Sequence, residues 1–139
     1  MKCTAFAVLA LIAAPVLGKT AVPAPVEQQV VEIYHVAPGQ QQAFLRFIDK
    51  CDDANRIAGL PPRQLFVHAD GADWDFMLIQ PAKTPKEKSA ALEAAWKQVG
   101  LPSGADFFFE IRKYISSHTD TFVSGPTTAR DYLAGVATP

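Results

Sequence analysis

Hydrophobic and polar positions alternate in some stretches of the chain and recur at helical spacing in others. Residues 30–36 (VVEIYHV) are rich in β-branched and aromatic side chains and end before Pro38-Gly39, which predicts a first strand. Residues 40–58 carry apolar side chains at helical spacing, and Gly59 with the prolines after it ends this predicted first helix.

The middle of the chain predicts a hairpin followed by a second helix. Residues 64–68 and 74–79 are two short apolar runs, and Asp70-Gly71 lies between them. Asp-Gly is favoured in two-residue hairpin turns because both positions need positive φ. Residues 86–99 then show apolar side chains along one helical stripe that ends at Gly100.

The last third of the chain is ambiguous at one point. The apolar spacing of residues 107–117 favours a helix, whereas the FFF run at its start, taken alone, fits a strand. Residues 119–123 predict a last strand that ends at Gly125-Pro126, and residues 130–135 predict a short terminal turn of helix.

The order strand, helix, strand, strand, helix, strand is that of the ferredoxin-like split βαβ fold. It predicts an α+β domain with a four-stranded antiparallel sheet and helices on one face. The chain also resembles the dimeric α/β-barrel superfamily, which includes antibiotic-biosynthesis-type monooxygenases and NIPSNAP-like proteins. The segments that carry this resemblance are EIYHVAPGQQQAFLRFI, WDFMLI and RKYISSHTDTF.

The resemblance covers residues 29–125 and concerns the layout of the chain, not a catalytic motif. It implies a dimer in which two sheets stack into a barrel. It also suggests a cofactor-independent oxygenase or isomerase, although a shared fold does not carry one reaction.

The N-terminal segment has the order of regions that is typical of a secretory signal peptide. A short basic start precedes the apolar run of residues 3–18, CTAFAVLALIAAPVLG. Cleavage after Gly18 is favoured because Val16 and Gly18 are small; cleavage after Ala21 or Ala24 is the alternative. We therefore expect an exported protein, periplasmic or secreted, that has no membrane span after cleavage.

The predicted organisation has four parts, which are a signal peptide (1–18), a leader segment (19–28), the dimeric α/β-barrel-like domain (29–125) and a C-terminal tail (126–139). Removal of the signal peptide leaves Cys51 as the single cysteine, which we interpret as a packing residue.

Composition excludes several classes of protein. With 49% hydrophobic and 19% charged residues, the chain is neither disordered nor a coiled coil. Thirteen Lys+Arg against fourteen Asp+Glu leave no basic surplus, so we expect no nucleic-acid partner. The sequence contains no GxSxG, HExxH, CxxC or glycine-rich phosphate loop, so no metal and no bound cofactor is predicted.

A turn at Asp70-Gly71 would sort the side chains of the hairpin onto two faces, because directly opposed residues share a face. Val67 would oppose Trp74, and His68 would oppose Asp73. The face expected to lie under the helices is apolar and comprises Leu65, Val67, Ala69, Trp74, Phe76 and Leu78, with Val31, Ile33 and His35 from strand one. The other face is mixed and comprises Gln64, Phe66, His68, Asp73, Asp75 and Met77, with Val30, Glu32, Tyr34 and Val36.

The mixed face is too apolar for open water and too polar for a sealed core, which favours contact with a second copy or with a ligand. We therefore expect a homodimer and a small-molecule ligand. The predicted ligand-binding residues are Gln64, Phe66, Asp75 and Met77.

The candidate catalytic residues are Glu32, His68 and Tyr34. A carboxylate on an otherwise apolar face has a raised pKa, which suits it to proton abstraction, and Tyr34 would orient the substrate. The alternative for Glu32 is a salt bridge to Arg63 at the dimer seam. For His68 it is an ordinary cross-strand pair with an aspartate.

Three functions stay open. The first is binding of a small apolar or aromatic ligand, and the second is a cofactor-independent monooxygenase or isomerase acting on a phenolic or enolisable substrate. The third is a structural dimer without a ligand. Haem binding through His35, His68 or His118 would be a variant of the first two, but no spacing supports it.

Overall fold

A computed structural model describes residues 27–136 of the chain. The predicted signal peptide and most of the leader segment lie outside the described residues. The elements, in chain order, are β1 (Gln28–Val36), α1 (Gln41–Ile57), β2 (Gln64–Val67), β3 (Phe76–Pro81), a 3₁₀ turn (Lys86–Lys88), α2 (Ser89–Gln98), α3 (Ala105–Ile111), β4 (Ile115–Ser124) and α4 (Ala129–Val136). No helix within residues 27–136 has the length and apolar character needed to cross a bilayer.

The four strands form one sheet in the order β2-β3-β1-β4, and every neighbouring pair is antiparallel. The helices that build the core pack on one face of this sheet. The predicted α+β, ferredoxin-like arrangement is therefore confirmed.

Glycine ends both long helices in the way that the sequence predicts. Gly59 has φ of 69°, and its N–H donates to the Arg56 carbonyl at 3.0 Å. The N–H of Leu60 donates to the Asn55 carbonyl at 2.8 Å, which completes a Schellman motif at the end of α1. The end of α2 repeats this motif at Gly100, whose φ is 66°.

The β2–β3 hairpin differs from the prediction by two residues. Val67 pairs with Phe76 and not with Trp74, so residues 68–75 form the connection in place of a two-residue turn. A shift of two residues preserves the faces of both strands, because side chains alternate with a period of two. Trp74 lies outside β3, and its ring contacts the His68 ring at 4.9 Å between centroids.

The predicted facing of β1 is wrong. Tyr34 pairs with Phe76, is 4% exposed and packs against the Phe44 ring at 4.9 Å between centroids. The even-numbered residues of β1, Glu32 among them, therefore face the helices, and Val31, Ile33 and His35 face the other way. Alternate positions of β1 are almost equally apolar, so only the pairing with β3 distinguishes the two faces.

The boundaries of α3 and β4 also differ from the predicted ones. The FFF run is helical, as favoured, but α3 ends at Ile111 and not at residue 117. Strand β4 begins at Ile115, four residues before the predicted start of the last strand at Thr119.

The core lies between the helices and the two central strands. Its largest fully buried side chains are Phe44, Leu78 and Cys51. The edge strands are less covered: Leu65 and Val67 of β2 are 44% and 64% exposed on the helix side, and in β4 only Ile115 is buried. The sheet face that no helix of residues 27–136 covers is called the open face below, and it carries Val31, Ile33, Phe66, Met77 and Ile79.

Candidate functional site

Glu32 is the centre of a polar cluster on the helix-covered face of the sheet. The Gln80 side chain on β3 donates a hydrogen bond from Nε2 to Glu32 Oε1 at 3.0 Å. The Tyr34 side chain lies two residues along β1 on the same face, and its hydroxyl favours the charged form of this carboxylate. A half-buried carboxylate needs such donors because burial removes its water.

Arg63 brings a positive charge to the cluster from the residue before β2. Its Nη1 lies 3.0 Å from Asp52 Oδ1 on α1, and its backbone N–H donates to the same oxygen at 3.2 Å. The two side chains are 12% and 18% exposed, so this ion pair is largely shielded from solvent. Asp52 therefore fixes both the direction of the guanidinium and the path of the chain as it enters β2. The partner of Arg63 at ion-pair distance is Asp52, not the Glu32 of the alternative interpretation.

Burial controls the acid–base properties of the cluster. Burial raises the pKa of the Glu32 carboxyl; the Arg63 guanidinium opposes this shift, and the Asp120 carboxylate adds to it. Burial, and then the Glu32 charge, raise the pKa of the Tyr34 hydroxyl far above its usual range. Burial likewise raises the pKa of the neighbouring Cys51 thiol to about 11. Tyr34 and Cys51 are therefore neutral near pH 7, and Glu32 is the acid–base group of the cluster.

The cluster is open to solvent on the β4 side. Tyr34 pairs with His118 across the sheet, and the two rings stack at 5.7 Å between centroids. Asp120 pairs with Glu32, and the next side chain on this face, Phe122, is 65% exposed. The result is a strip of two aromatic rings flanking a carboxylate, with no helix covering it among residues 27–136.

Gln80 also connects the cluster to a cavity of about 270 Å³ near the end of β3. The lining of this cavity is mixed, with the apolar side chains concentrated in its prolines and Leu60. The full set is Glu27, Asn55, Leu60, Pro61, Gln80, Pro81, Lys83, Thr84 and Pro85. Among these lining residues, Gln80 donates the hydrogen bond to Glu32.

The residues predicted to form one site lie on both faces of the sheet. Glu32 and Tyr34 lie together on the covered face, whereas Gln64, Phe66 and Met77 lie on the open face. The single site that the sequence predicts on the mixed face is therefore divided into two surfaces.

Asp75 has a structural role. Its Oδ2 accepts a hydrogen bond from the Val36 N–H at 2.7 Å, next to the register shift between His35 and Val36. Its own N–H donates to the Tyr34 carbonyl at 2.9 Å. The carboxylate thus satisfies a donor at the point where β1 leaves the sheet.

His68 lies at the edge of the sheet and not beside the cluster. Its backbone N–H donates to the Asp75 carbonyl at 3.0 Å, while its ring packs on Trp74. Within the described part of the chain its buried Nε2 has no hydrogen-bond partner, and no carboxylate pairs with it. The predicted pairing of His68 with Asp73 is therefore wrong.

Sequence reasoning missed the role of Gln80, Asp52 and His118 in this cluster, and it placed Arg63 at a dimer seam. These four residues come from three other elements and one loop, and none belongs to a motif. The signal that identified Glu32 was a charge in an apolar strand. A related signal, a polar side chain at the end of an apolar run, could have selected Gln80, which follows the WDFMLI run directly.

Across residues 27–136, no three His, Cys, Asp or Glu side chains gather in an arrangement that could hold a metal ion. His118 Nε2 lies 3.8 Å from Asp120 Oδ2, but His35 faces the other side of the sheet.

No family model and no curated protein matches the chain. Among solved structures, the chain is similar to an uncharacterized NIPSNAP domain protein from Burkholderia xenovorans. The TM-score is 0.40 and the sequence identity 13%, over 73% of this chain and 96% of that chain. The resemblance to antibiotic-biosynthesis monooxygenases stays a prediction.

Proposed function

We propose that the protein is exported and binds a small apolar or aromatic molecule at the Glu32 cluster, between α1 and the uncovered strip of β4. The observation that carries this proposal is the half-buried Glu32 carboxylate, which Gln80 holds at 3.0 Å next to the exposed β4 side chains His118 and Phe122. Ligand sites combine apolar walls with a few convergent polar groups, and this cluster has that composition.

The side chains of the cluster limit which functional groups the ligand can have. The Glu32 carboxylate accepts hydrogen bonds, so the ligand would present a hydroxyl or amide donor to it. His118 and Phe122 would provide aromatic contacts on either side of Asp120. A hydroxyl group on a fused aromatic ring system provides both the hydrogen-bond donor and the aromatic surface.

The test is a fluorescence titration with 1-naphthol, together with native mass spectrometry of the purified mature protein. Wild type is expected to bind 1-naphthol saturably. Glu32→Gln should weaken binding about tenfold, because it replaces a charge-assisted hydrogen bond with a neutral one.

The matched control is Glu93→Gln, which removes a carboxylate from the exposed face of α2, where Glu93 pairs with Lys97 at 2.7 Å. This variant should bind like wild type. Absence of saturable binding by wild type, or equal affinity of wild type and Glu32→Gln, would overturn the proposal.

A second candidate function is proton abstraction by Glu32. The observation that favours it is the raised pKa of this carboxyl beside a neutral Tyr34 hydroxyl that can stabilise an enolate. The probe is 2-tetralone, an aromatic enolisable ketone, in D₂O. If the protein catalyses this reaction, wild type and Glu93→Gln should incorporate deuterium faster than buffer alone. Glu32→Gln should incorporate it at the buffer rate. Incorporation at the buffer rate in wild type would leave binding as the function.

We further propose that the open face is the interface of a homodimer. It presents Val31, Ile33, Phe66, Met77 and Ile79, over which no helix of the described residues lies, and apolar faces of this kind mark association sites. The stacking of two such faces would produce the barrel that the family resemblance implies.

Size-exclusion chromatography with light scattering tests the dimer. Wild type should be dimeric at micromolar concentration, and Ile33→Glu should be monomeric, because it places an unpaired charge in the centre of the interface. Ala94→Glu adds the same charge on the exposed side of α2 and should leave the dimer intact. A monomeric wild type would refute this part of the proposal and leave ligand binding unaffected.

A further inference from the structure

A second cavity, of about 740 Å³, lies between α1 and the chain that follows α2. Four residues of α1 line it at the spacing i, i+3, i+4 and i+7, which places them on one face of the helix. The opposite wall comes from the segment after α2, from the end of α3 and from the turn that follows α3. The lining residues are Ala43, Arg46, Phe47, Lys50, Gly100, Leu101, Pro102, Glu110 and Tyr114. None of these residues belongs to the Glu32 cluster.

The floor of this cavity is apolar and is held in place by the core. Phe47 is 6% exposed, and its ring contacts the Tyr114 ring at 5.5 Å between centroids. Leu101 is 7% exposed, and its N–H donates to the Trp96 carbonyl at 2.9 Å at the end of α2. The floor is therefore formed before any ligand arrives, which lowers the entropic cost of binding.

Two exposed cations lie at the rim and have hydrogen-bond donors to spare. Arg46 donates from Nη2 to the Gln42 side chain at 3.1 Å, and Lys50 donates from Nζ to the Gly100 carbonyl at 3.0 Å. Within residues 27–136, neither side chain forms an ion pair with a carboxylate. A guanidinium has five N–H donors and an ammonium three, so both groups can donate to a further acceptor.

The Glu110 carboxylate also lines the cavity, but its charge is already balanced. It accepts hydrogen bonds from Lys113 Nζ and from the Tyr114 hydroxyl, each at 2.7 Å. These two hydrogen bonds, together with the Lys50 charge, lower the pKa of the Glu110 carboxyl. Because Lys113 balances Glu110, Arg46 and Lys50 leave the cavity with a surplus of positive charge.

We propose that this cavity binds a small organic carboxylate that carries an apolar body. The planar guanidinium of Arg46 matches the two oxygens of a carboxylate, and the Lys50 ammonium adds a second positive charge. Phe47 and Leu101 would contact the apolar body. An inorganic anion would leave this floor unused, and a neutral ligand would leave both cations unused. The site is separate from the Glu32 cluster, where a carboxylate ligand would meet a like charge.

Isothermal titration calorimetry of the full mature chain with 2-naphthoate and 2-naphthamide tests the site, because the two probes share a ring system and differ in charge. Wild type is expected to bind 2-naphthoate saturably and at least about tenfold more tightly than 2-naphthamide. Arg46→Gln should weaken 2-naphthoate binding about tenfold and change 2-naphthamide binding less than about twofold. It should keep the wild-type melting temperature, since Arg46 is exposed on α1.

Arg56→Gln is the matched control. It removes another exposed arginine of α1, which pairs with Asp53 and does not line the cavity. This variant should bind 2-naphthoate like wild type. A loss of affinity equal to that of Arg46→Gln would mean that the overall charge of the chain, and not the cavity, attracts the probe.

Glu32→Gln separates this site from the proposed function. It should leave 2-naphthoate affinity within about twofold of wild type. If Glu32→Gln weakens 2-naphthoate binding and Arg46→Gln does not, the carboxylate binds at the Glu32 cluster and the second site is refuted. Equal affinity of wild type for both probes, or displacement of 2-naphthoate by equimolar inorganic phosphate, would also overturn the proposal. None of these results changes the 1-naphthol test, which depends on Glu32.

Discussion

The burial of Glu32 gives its carboxyl unusual acid–base properties and at the same time destabilises the folded protein. Its carboxylate lies on the sheet face that the helices cover, where Gln80 donates a hydrogen bond to it and the Tyr34 hydroxyl and the Arg63 charge also favour its charged form. Burial outweighs these favourable interactions, because the pKa is raised despite them. The folded protein therefore binds a proton at Glu32 more tightly than the unfolded chain does.

The pH dependence of stability should show this cost. The raised pKa lies above the ordinary value of 4.5. The folded state therefore keeps its proton over a pH range in which the unfolded chain has lost it. The stabilising contribution of Glu32 protonation is complete below pH 4.5 and disappears as the pH rises through the folded-state pKa. Each tenfold difference in proton affinity between the two states corresponds to about 1.4 kcal/mol.

Urea unfolding of wild type and Glu32→Gln as a function of pH checks this expectation. The difference in unfolding free energy between the two proteins should change in favour of the variant as the pH rises from 4.5 toward neutrality. Glu93→Gln, which removes an exposed carboxylate, should not show this change. A constant difference between wild type and Glu32→Gln over that range would contradict the burial of the charge.

At the scale of elements, the sequence predicts most reliably what is encoded locally. Helix α1 was predicted from apolar spacing and a terminal glycine, and both are observed. The predicted register of the hairpin is wrong by two residues, because it relies on Asp70-Gly71 as a favoured turn pair. In the structure Asp75 forms hydrogen bonds to β1, and these align β3 from outside the turn. The facing of β1 was predicted wrongly for the same physical reason, since tertiary pairing decided between two nearly equivalent faces.

The end of α1 supports a prediction at this scale. Gly59→Ala should lower the free energy of unfolding by about 1–2 kcal/mol, because a Cβ disfavours the left-handed conformation. The new Cβ would also lie 2.8 Å from Lys88 Nζ, although that side chain is flexible at its end. Gly135→Ala is the matched control, because Gly135 does not have positive φ and a Cβ there meets nothing within 4 Å. Chemical denaturation that gives both variants the same midpoint would contradict the motif.

At the scale of the whole molecule, the helices cover only part of the sheet, and this determines which side chains can meet a ligand or a partner. The helices cover β3 and most of β1, whereas within residues 27–136 the edge strands and one sheet face are left uncovered. Sequence reasoning identified Glu32 and Tyr34 as candidates, because each is conspicuous among the apolar residues of β1. It did not find that Gln80 would donate to Glu32 or that the Arg63 charge would act on it, because these interactions join residues 48 and 31 positions apart and depend on the complete sheet.

Two leucines that face each other across the β2–β3 ladder test this uneven coverage. Leu65 and Leu78 are paired on the same face, but Leu78 is fully buried under the helices whereas Leu65 is 44% exposed at the edge. Leu78→Ala should cost about 2–5 kcal/mol of unfolding free energy, since it leaves a cavity in the core, whereas an exposed leucine leaves none. Leu65→Ala should cost less than about 1 kcal/mol. Equal losses in urea unfolding, measured at a protein concentration that keeps the oligomeric state constant, would mean that the helix layer extends over β2 in solution. The difference between the two variants therefore measures where the core ends and the surface available to a partner begins.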